Sequence, residues 1–218
     1  MGSGRSVIYG RRPVAEAEAG RRRVHRVWRA PGTPAAELER LCGSPHHQGV
    51  VAEVDPYPYA DPGALLAAGG VLIALDQVQD PGNLGAVCRS AEVAGARGVV
   101  IPERRAAQVS AAVCKASAGA VEHLDVARVR NLADWLAGAK SAGMWVWGAA
   151  PGGGNAPWEV DLAGGVVIVL GGEEKGLRPR VATACDGLIA IPQRGRTESL
   201  NVSAAAAVLL FEALRQRG

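Results

Sequence analysis

Aromatic residues are few in this chain: one Phe, three Tyr and five Trp among 218 residues. Lysine is also rare, since Lys115, Lys140 and Lys175 are the only three among 24 basic residues. Cys42, Cys88, Cys114 and Cys185 stand far apart with no CxxC, which excludes a zinc ribbon or a dithiol redox motif. A chain that is 48% hydrophobic has core enough to fold without disulfide staples, so the four read as reduced thiols of a cytoplasmic protein. His46-His47 is the only His pair and lacks Cys or carboxylates at ligand spacing, so no metal is expected. No apolar run approaches the roughly 20 residues of a membrane span. The longest, Val71–Leu75, Val166–Leu170 and Ala204–Phe211, suit buried strands or half a core helix. Met1–Arg5 contains no apolar signal core, so export is not expected. Neither GxGxxG after a strand nor GxxxxGK[ST] occurs, which argues against a Rossmann dinucleotide site and an NTPase P-loop.

What is present is arginine, unevenly placed. Residues 1–30 hold eight Arg against Glu16 and Glu18, a local charge of +6, whereas residues 31–218 sum to −3. Arg presents a planar fork that matches phosphate oxygens, so Arg11, Arg12, Arg21, Arg22, Arg23 and Arg26 are candidate contacts to RNA or DNA. A solvated surface shaped by codon bias is the plainer alternative.

Two regions follow from the patterning. Residues 1–54 read as a small α/β module, with a helix over Pro13–Ala19 and short strands at Val24–Trp28 and Gly49–Val54. Residues 55–68 open with three prolines before Gly63 and read as a stiff linker. From 69 to 218 strands and helices alternate, with strands expected at 71–75, 97–101, 121–126, 144–149, 166–170 and 187–191. Helices are expected at 83–94, 109–117, 131–141, 179–185 and 199–215. Apolar strands without in–out alternation imply a parallel sheet buried on both faces, an α/β class. In the first of those helices Leu84, Val87, Cys88, Ala91 and Ala94 form one stripe, with Gly85, Arg89 and Glu92 opposite. In the last, Leu200, Ala204, Ala207, Val208 and Phe211 form a stripe, yet 204–211 is apolar all round, as in a core or subunit interface.

Ligands of open parallel sheets sit at strand carboxyl ends. Three such ends are unusual: DPGNLGAVCRSAEVAG (80–95), VLGGEEKGL (169–177) and IPQRGRTESLNVSAA (191–205). In that order they resemble the three motifs of the SpoU (TrmH) family of RNA 2′-O-ribose methyltransferases, within the SPOUT superfamily. Tyr9–Val14 and His47–Ala52 are similar to the substrate-binding domain of its RlmB-type branch, which methylates a 23S rRNA guanosine. The resemblance implies a C-terminal parallel-sheet domain with a deep trefoil knot and a shortened, L30e-like RNA-binding domain before it. It further implies S-adenosylmethionine (SAM) as methyl donor, a homodimer through the knot and last helix, no membrane, and a cytoplasmic enzyme.

Onto this chain the family carries Arg89, Asn83, Glu173, Ser199 and Asn201 as catalytic positions, and Leu170, Gly171, Gly172, Ile191 and Leu200 around the cofactor. Gly171-Gly172 lets backbone approach a ligand, or simply makes a tight turn. Arg89 suits stabilisation of a 2′-oxyanion or anchoring of a phosphate, since its pKa above about 12 makes it a poor base. Otherwise it pairs with Glu92 on a wet surface. Asn83 positions a ribose or caps its helix. Glu173 orients Arg89 or is a turn carboxylate beside Lys175. Ser199 is a catalytic group or the cap of the last helix, and Asn201 early in that helix has little intrinsic reason to be there. The alternatives are the same chemistry on tRNA, or a non-catalytic RNA-binding protein.

Overall fold

The computed structural model describes residues 4–172, 176–196 and 199–218. Near the N-terminus, β1 (Ser6–Tyr9), β2 (Val24–Arg29) and β3 (Val50–Val54) form an antiparallel sheet in the order β1-β3-β2. Helices α1 (Arg11–Ala19) and α2 (Ala35–Cys42) pack on it through Val14, Ala17 and Leu38. β1 and α2 were not expected.

The expected linker is largely bolted down. Tyr57 is buried, and its hydroxyl donates to the Leu124 carbonyl at 2.7 Å, with the Val121 carbonyl oxygen 3.1 Å away. Burial pushes that phenol well above its ordinary pKa. Its last seven residues form α3 (Pro62–Ala68), where Asp61 accepts from the Ala64 N–H and Pro62 fills the first helical position. A proline there surrenders an N–H that has no helical partner anyway, so a residue that reads as a breaker serves as a start.

The second sheet has six parallel strands: β4 (Val71–Asp76), β5 (Gly98–Pro102), β6 (Asp125–Val129), β7 (Trp145–Ala149), β8 (Val166–Gly171) and β9 (Gly187–Ile189). Their order is β6-β5-β4-β8-β7-β9. The chain thus lays down β4 to β6 outward, starts the other side with β7, and returns to fill the slot between β4 and β7 with β8. Every residue of β4, and β8 as far as Leu170, is buried, as parallel strands between helical layers must be. One layer holds α4 (Pro81–Val93), α5 (Ala111–Ala116) and α8 (Val202–Arg217); the other holds α3, α6 (Leu132–Ser141) and α7 (Pro179–Ala184). β6 starts later than expected because 120–122 forms a short 3-10 turn that buries Val121 and Glu122.

Two helix faces need correction. Gly85 is buried against α5, so closely that a Cβ there would lie 2.5 Å from the Ala116 Cβ. In α8 the buried stripe is Val202, Ala206, Leu209, Leu210 and Ala213, leaving Val208, Phe211 and Leu214 exposed, and Leu200 lies before the helix and is exposed too. Small apolar residues on every side gave the periodicity no preferred phase. Among the described residues no helix is long and apolar enough to cross a membrane.

Candidate active site

The carboxyl end of β4 is tied to the segment after β8 by a buried carboxylate. Asp76 is fully buried, and its oxygens accept from the Arg178 backbone N–H at 2.8 Å and from Arg178 Nε at 2.7 Å. Two charge-assisted bonds offset the cost of removing that carboxylate from water. The Gly172 N–H donates to the Asp76 carbonyl at 2.9 Å, extending the ladder past the strand. A Cβ on Gly171 would overlap the backbone of Gly176 and Leu177, and one on Gly172 would lie 2.8 Å from the Gln77 carbonyl oxygen. The glycine pair is therefore demanded by chain crossing chain, while both residues also line a cavity.

That cavity measures about 480 Å³, within the range of small-molecule sites. Leu170, Gly171 and Gly172 form its wall at the end of β8. Ile191, Gln193, Ser199 and Leu200 cover it from the following loop, and Val202 and Ala205 close it from the first turn of α8. All five positions that the resemblance assigned to cofactor binding line this one space. Sequence reasoning missed the segment Ala149–Pro151 and the β9 residues Leu188 and Ile189, which line it too. Their signal was available, since 149–151 follows the carboxyl end of an expected strand. The walls are mostly apolar, with Gln193 and Ser199 as polar side chains, which suits a flat heterocycle held by backbone groups.

The expected catalytic positions fall into groups. Asp80 caps α4 by accepting from the Asn83 N–H at 2.7 Å, so Asn83 is not the cap. Its side-chain oxygen instead accepts from Asn201 Nδ2 at 3.0 Å, joining positions 118 residues apart. Asn201, not Ser199, caps α8, taking the Ser203 N–H at 2.8 Å and the Ser203 hydroxyl at 2.6 Å on Oδ1. Asn201 thus has an ordinary local reason for its place, alongside its bond to Asn83. Ser199 is exposed at the cavity rim. Arg89 is exposed on α4, about 240° around the helix from Asn83, and makes no ion pair with Glu92 or any other described residue. Glu173 lies outside the described residues.

The N-terminal arginines divide sharply. Arg22 cannot contact RNA: it is 6% exposed, and its guanidinium pairs with buried Glu122, with Nε donating to Oε2 at 2.8 Å. Arg21 pairs with Asp125 and donates to the Leu124 carbonyl, and Arg11 donates to the Gln48 carbonyl. Arg12, Arg23 and Arg26 are exposed, Arg26 lying 4.9 Å from the centre of the Trp28 ring. Among the described residues no three His, Cys, Asp or Glu come together as a metal-binding group.

Known proteins match both regions. Residues 70–211 fit the model of the SpoU rRNA Methylase family, and residues 33–60 fit that for RNA 2′-O ribose methyltransferase substrate binding. The uncharacterized tRNA/rRNA methyltransferase slr0955 of Synechocystis is 38% identical over 97% of this chain and 63% of its own length. The chain thus spans about three-fifths of the curated relatives it matches. Among solved structures, the SpoU methyltransferase AviRb of Streptomyces viridochromogenes, in complex with AdoMet, matches 98% of this chain and 91% of its own. That likeness has a TM-score of 0.82 at 28% identity. An AdoMet-bound rRNA methyltransferase from Sinorhizobium meliloti matches 97% of this chain and 87% of its own, with a TM-score of 0.85 at 26% identity.

Proposed function

This chain belongs to the SpoU rRNA methylase family, and on that premise we propose that it is a SAM-dependent RNA 2′-O-ribose methyltransferase. The observation that carries the reading is the Asn201–Asn83 bond beside a cavity lined by Leu170, Gly171, Gly172, Ile191 and Leu200. Loops remote in sequence meet where a methyl donor and a ribose have to meet. SAM supplies an electrophilic methyl group on a sulfonium. Backbone at Gly171, Ile191 and Leu200 holds it, and the apolar walls exclude water. Arg89 stabilises charge developing on the 2′-oxygen and anchors a neighbouring phosphate, roles open to a permanently charged guanidinium. Asn83 and Asn201 fix the edge against which the ribose packs, with Ser199 and Glu173 completing the catalytic set.

The target in this reading is a guanosine of 23S rRNA. The likeness over 97% of this chain to an rRNA methyltransferase supports rRNA over tRNA as the target class. Residues 1–54 bind RNA through Arg11, Arg12, Arg23 and Arg26, residues 55–68 connect, and residues 69–218 carry the chemistry. A deep trefoil knot belongs to the same reading, supported by β8 filling a slot between strands already laid down and by the 176–177 backbone crossing Gly171. So does a cytoplasmic homodimer, since Val208, Phe211 and Leu214 leave 42–47% of their surface exposed along α8.

Arg89→Ala tests the reading. Methyl transfer from tritiated SAM to total RNA of a strain lacking the gene is expected to fall by at least ~10²–10³-fold, the scale of losing one oxyanion donor. Calorimetric SAM affinity is expected to stay within about twofold, because Arg89 is not part of the cavity wall. A folded variant that no longer binds SAM contradicts the assigned role. Mass mapping of ribose methylation in rRNA and tRNA from the same strain distinguishes the targets.

A further inference from the structure

β5 and β6 run in parallel register, with Ile101 opposite Arg128 and Pro102 opposite Val129. The ladder continues one bond further, from the Glu103 N–H to the Val129 carbonyl at 2.9 Å. Both strands end among exposed arginines: Arg104 and Arg105 follow β5, while Arg128 lies within β6 and Arg130 just past it. Their placement is organised. The Arg128 guanidinium sits over the Tyr59 ring, 4.0 Å from its centre, and the Tyr59 hydroxyl accepts from the Val109 N–H at 2.9 Å. The Ala107 N–H donates to the Val78 carbonyl at 2.9 Å, which ties the arginine-bearing loop to the turn leading into Asp80 and Asn83. All four arginines therefore stand on the same carboxyl edge as the candidate active site.

They are also electrically unspent. Among the described residues Arg104, Arg105 and Arg128 make no hydrogen bond or ion pair. Arg130, with 90% of its side chain exposed, approaches only Glu103, at 3.9 Å. Asp134, the next carboxylate along the chain, is already paired with Arg180 at 2.6 Å. Because residues 31–218 sum to −3, this is a positive ridge on a faintly acidic body. Exposed guanidinium forks with no internal acceptor are donors for phosphate oxygens.

We propose that Arg104, Arg105, Arg128 and Arg130 form a phosphate-binding ridge that guides the RNA strand flanking the target nucleotide to the candidate active site. The inference rests on the methyltransferase reading above and adds where the catalytic domain itself grips RNA. Recognition here is of sugar–phosphate backbone rather than base edges, so it is strongly salt-dependent and tolerant of sequence.

The test uses the full chain and a labelled RNA hairpin, with binding followed by anisotropy across a potassium chloride series. Each lost phosphate contact removes about 0.7–0.9 from the slope of log affinity against log salt, so R104Q/R105Q/R128Q/R130Q is expected to lower the slope by about 3. Affinity near 0.1 M salt is expected to fall ~10–100-fold. R104Q/R105Q alone, which disturbs no packing, is expected to give about half the change in slope. SAM calorimetry on each variant checks that the fold and cavity survive. A wild-type slope in the quadruple variant, with SAM binding intact, overturns the ridge and leaves the methyltransferase reading standing. An unchanged RNA slope with loss of binding to an acidic protein also overturns it, in favour of a protein-docking face. A wild-type chain that neither binds SAM nor transfers methyl to RNA overturns the methyltransferase reading instead.

Discussion

Two groups of arginines in this chain have similar composition and opposite uses. In residues 1–30, Arg5 pairs with Glu53, Arg21 with Asp125, Arg22 with Glu122 and Arg29 with Glu18. At the carboxyl ends of β5 and β6, Arg104, Arg105 and Arg128 have no such partner among the described residues. The first group holds the molecule together, and Arg21 and Arg22 in particular fasten the N-terminal module to residues 122–125, about a hundred positions away. The second faces outward beside the candidate active site. A run of like charges in a sequence thus shows where cations are, not which are free, because the acceptors that consume them are remote in sequence.

The sharpest way to break the comparison is to remove one arginine from each group and measure stability. Taking away one member of a buried ion pair strands the other charge in a low dielectric, which costs about 3–5 kcal/mol. Arg22→Ala is therefore expected to lower urea-unfolding stability by about that much, and Arg22→Met/Glu122→Leu to recover most of it. Arg21→Ala, whose pair is half exposed, is expected to cost about 1 kcal/mol or less, since solvent screens the pair. Arg104→Ala is expected to stay within about 0.5 kcal/mol. An Arg22→Ala protein as stable as the Arg104→Ala protein would erase the distinction between the groups.

Much of the large sheet was legible because β4 and β8 are buried on both faces and must be continuously apolar. β1 was not: its four residues are fixed by antiparallel pairing with β3, some forty positions onward. α3 was obscured by its own start signal, Asp61-Pro62, which reads equally as a turn. The motif loops were legible as special but for a partly different reason. Gly171 and Gly172 make room for Gly176, Leu177 and Gln77 rather than only for a ligand, and no local pattern announces a chain crossing. Asn201 read as functional because it was counted inside the last helix. Once the helix begins at Val202, capping accounts for its presence and the bond to Asn83 is the part that bears on function.

The smallest expected effect sharpens the comparison at the interface that Arg22 closes. Arg22 Nη2 lies 3.4 Å from Cys114 Sγ, and Cys114 and Cys88 are both buried. Burial pushes both thiols up to about 12, because a thiolate without water is poorly stabilised. At pH 8 such thiols stay protonated, and the thiolate is the reactive form. Iodoacetamide at that pH is therefore expected to label Cys42, which is partly exposed, and to spare Cys88 and Cys114, as read by peptide mass mapping. In Arg22→Ala, Cys114 loses its cover and is expected to become labelled, while Cys88, fully buried on the inner face of α4 and not in contact with Arg22, stays protected. Equal labelling of Cys114 and Cys42 in the unaltered chain would mean that the two modules part in solution. Arg22 would then spend its time in water like the arginines of the ridge.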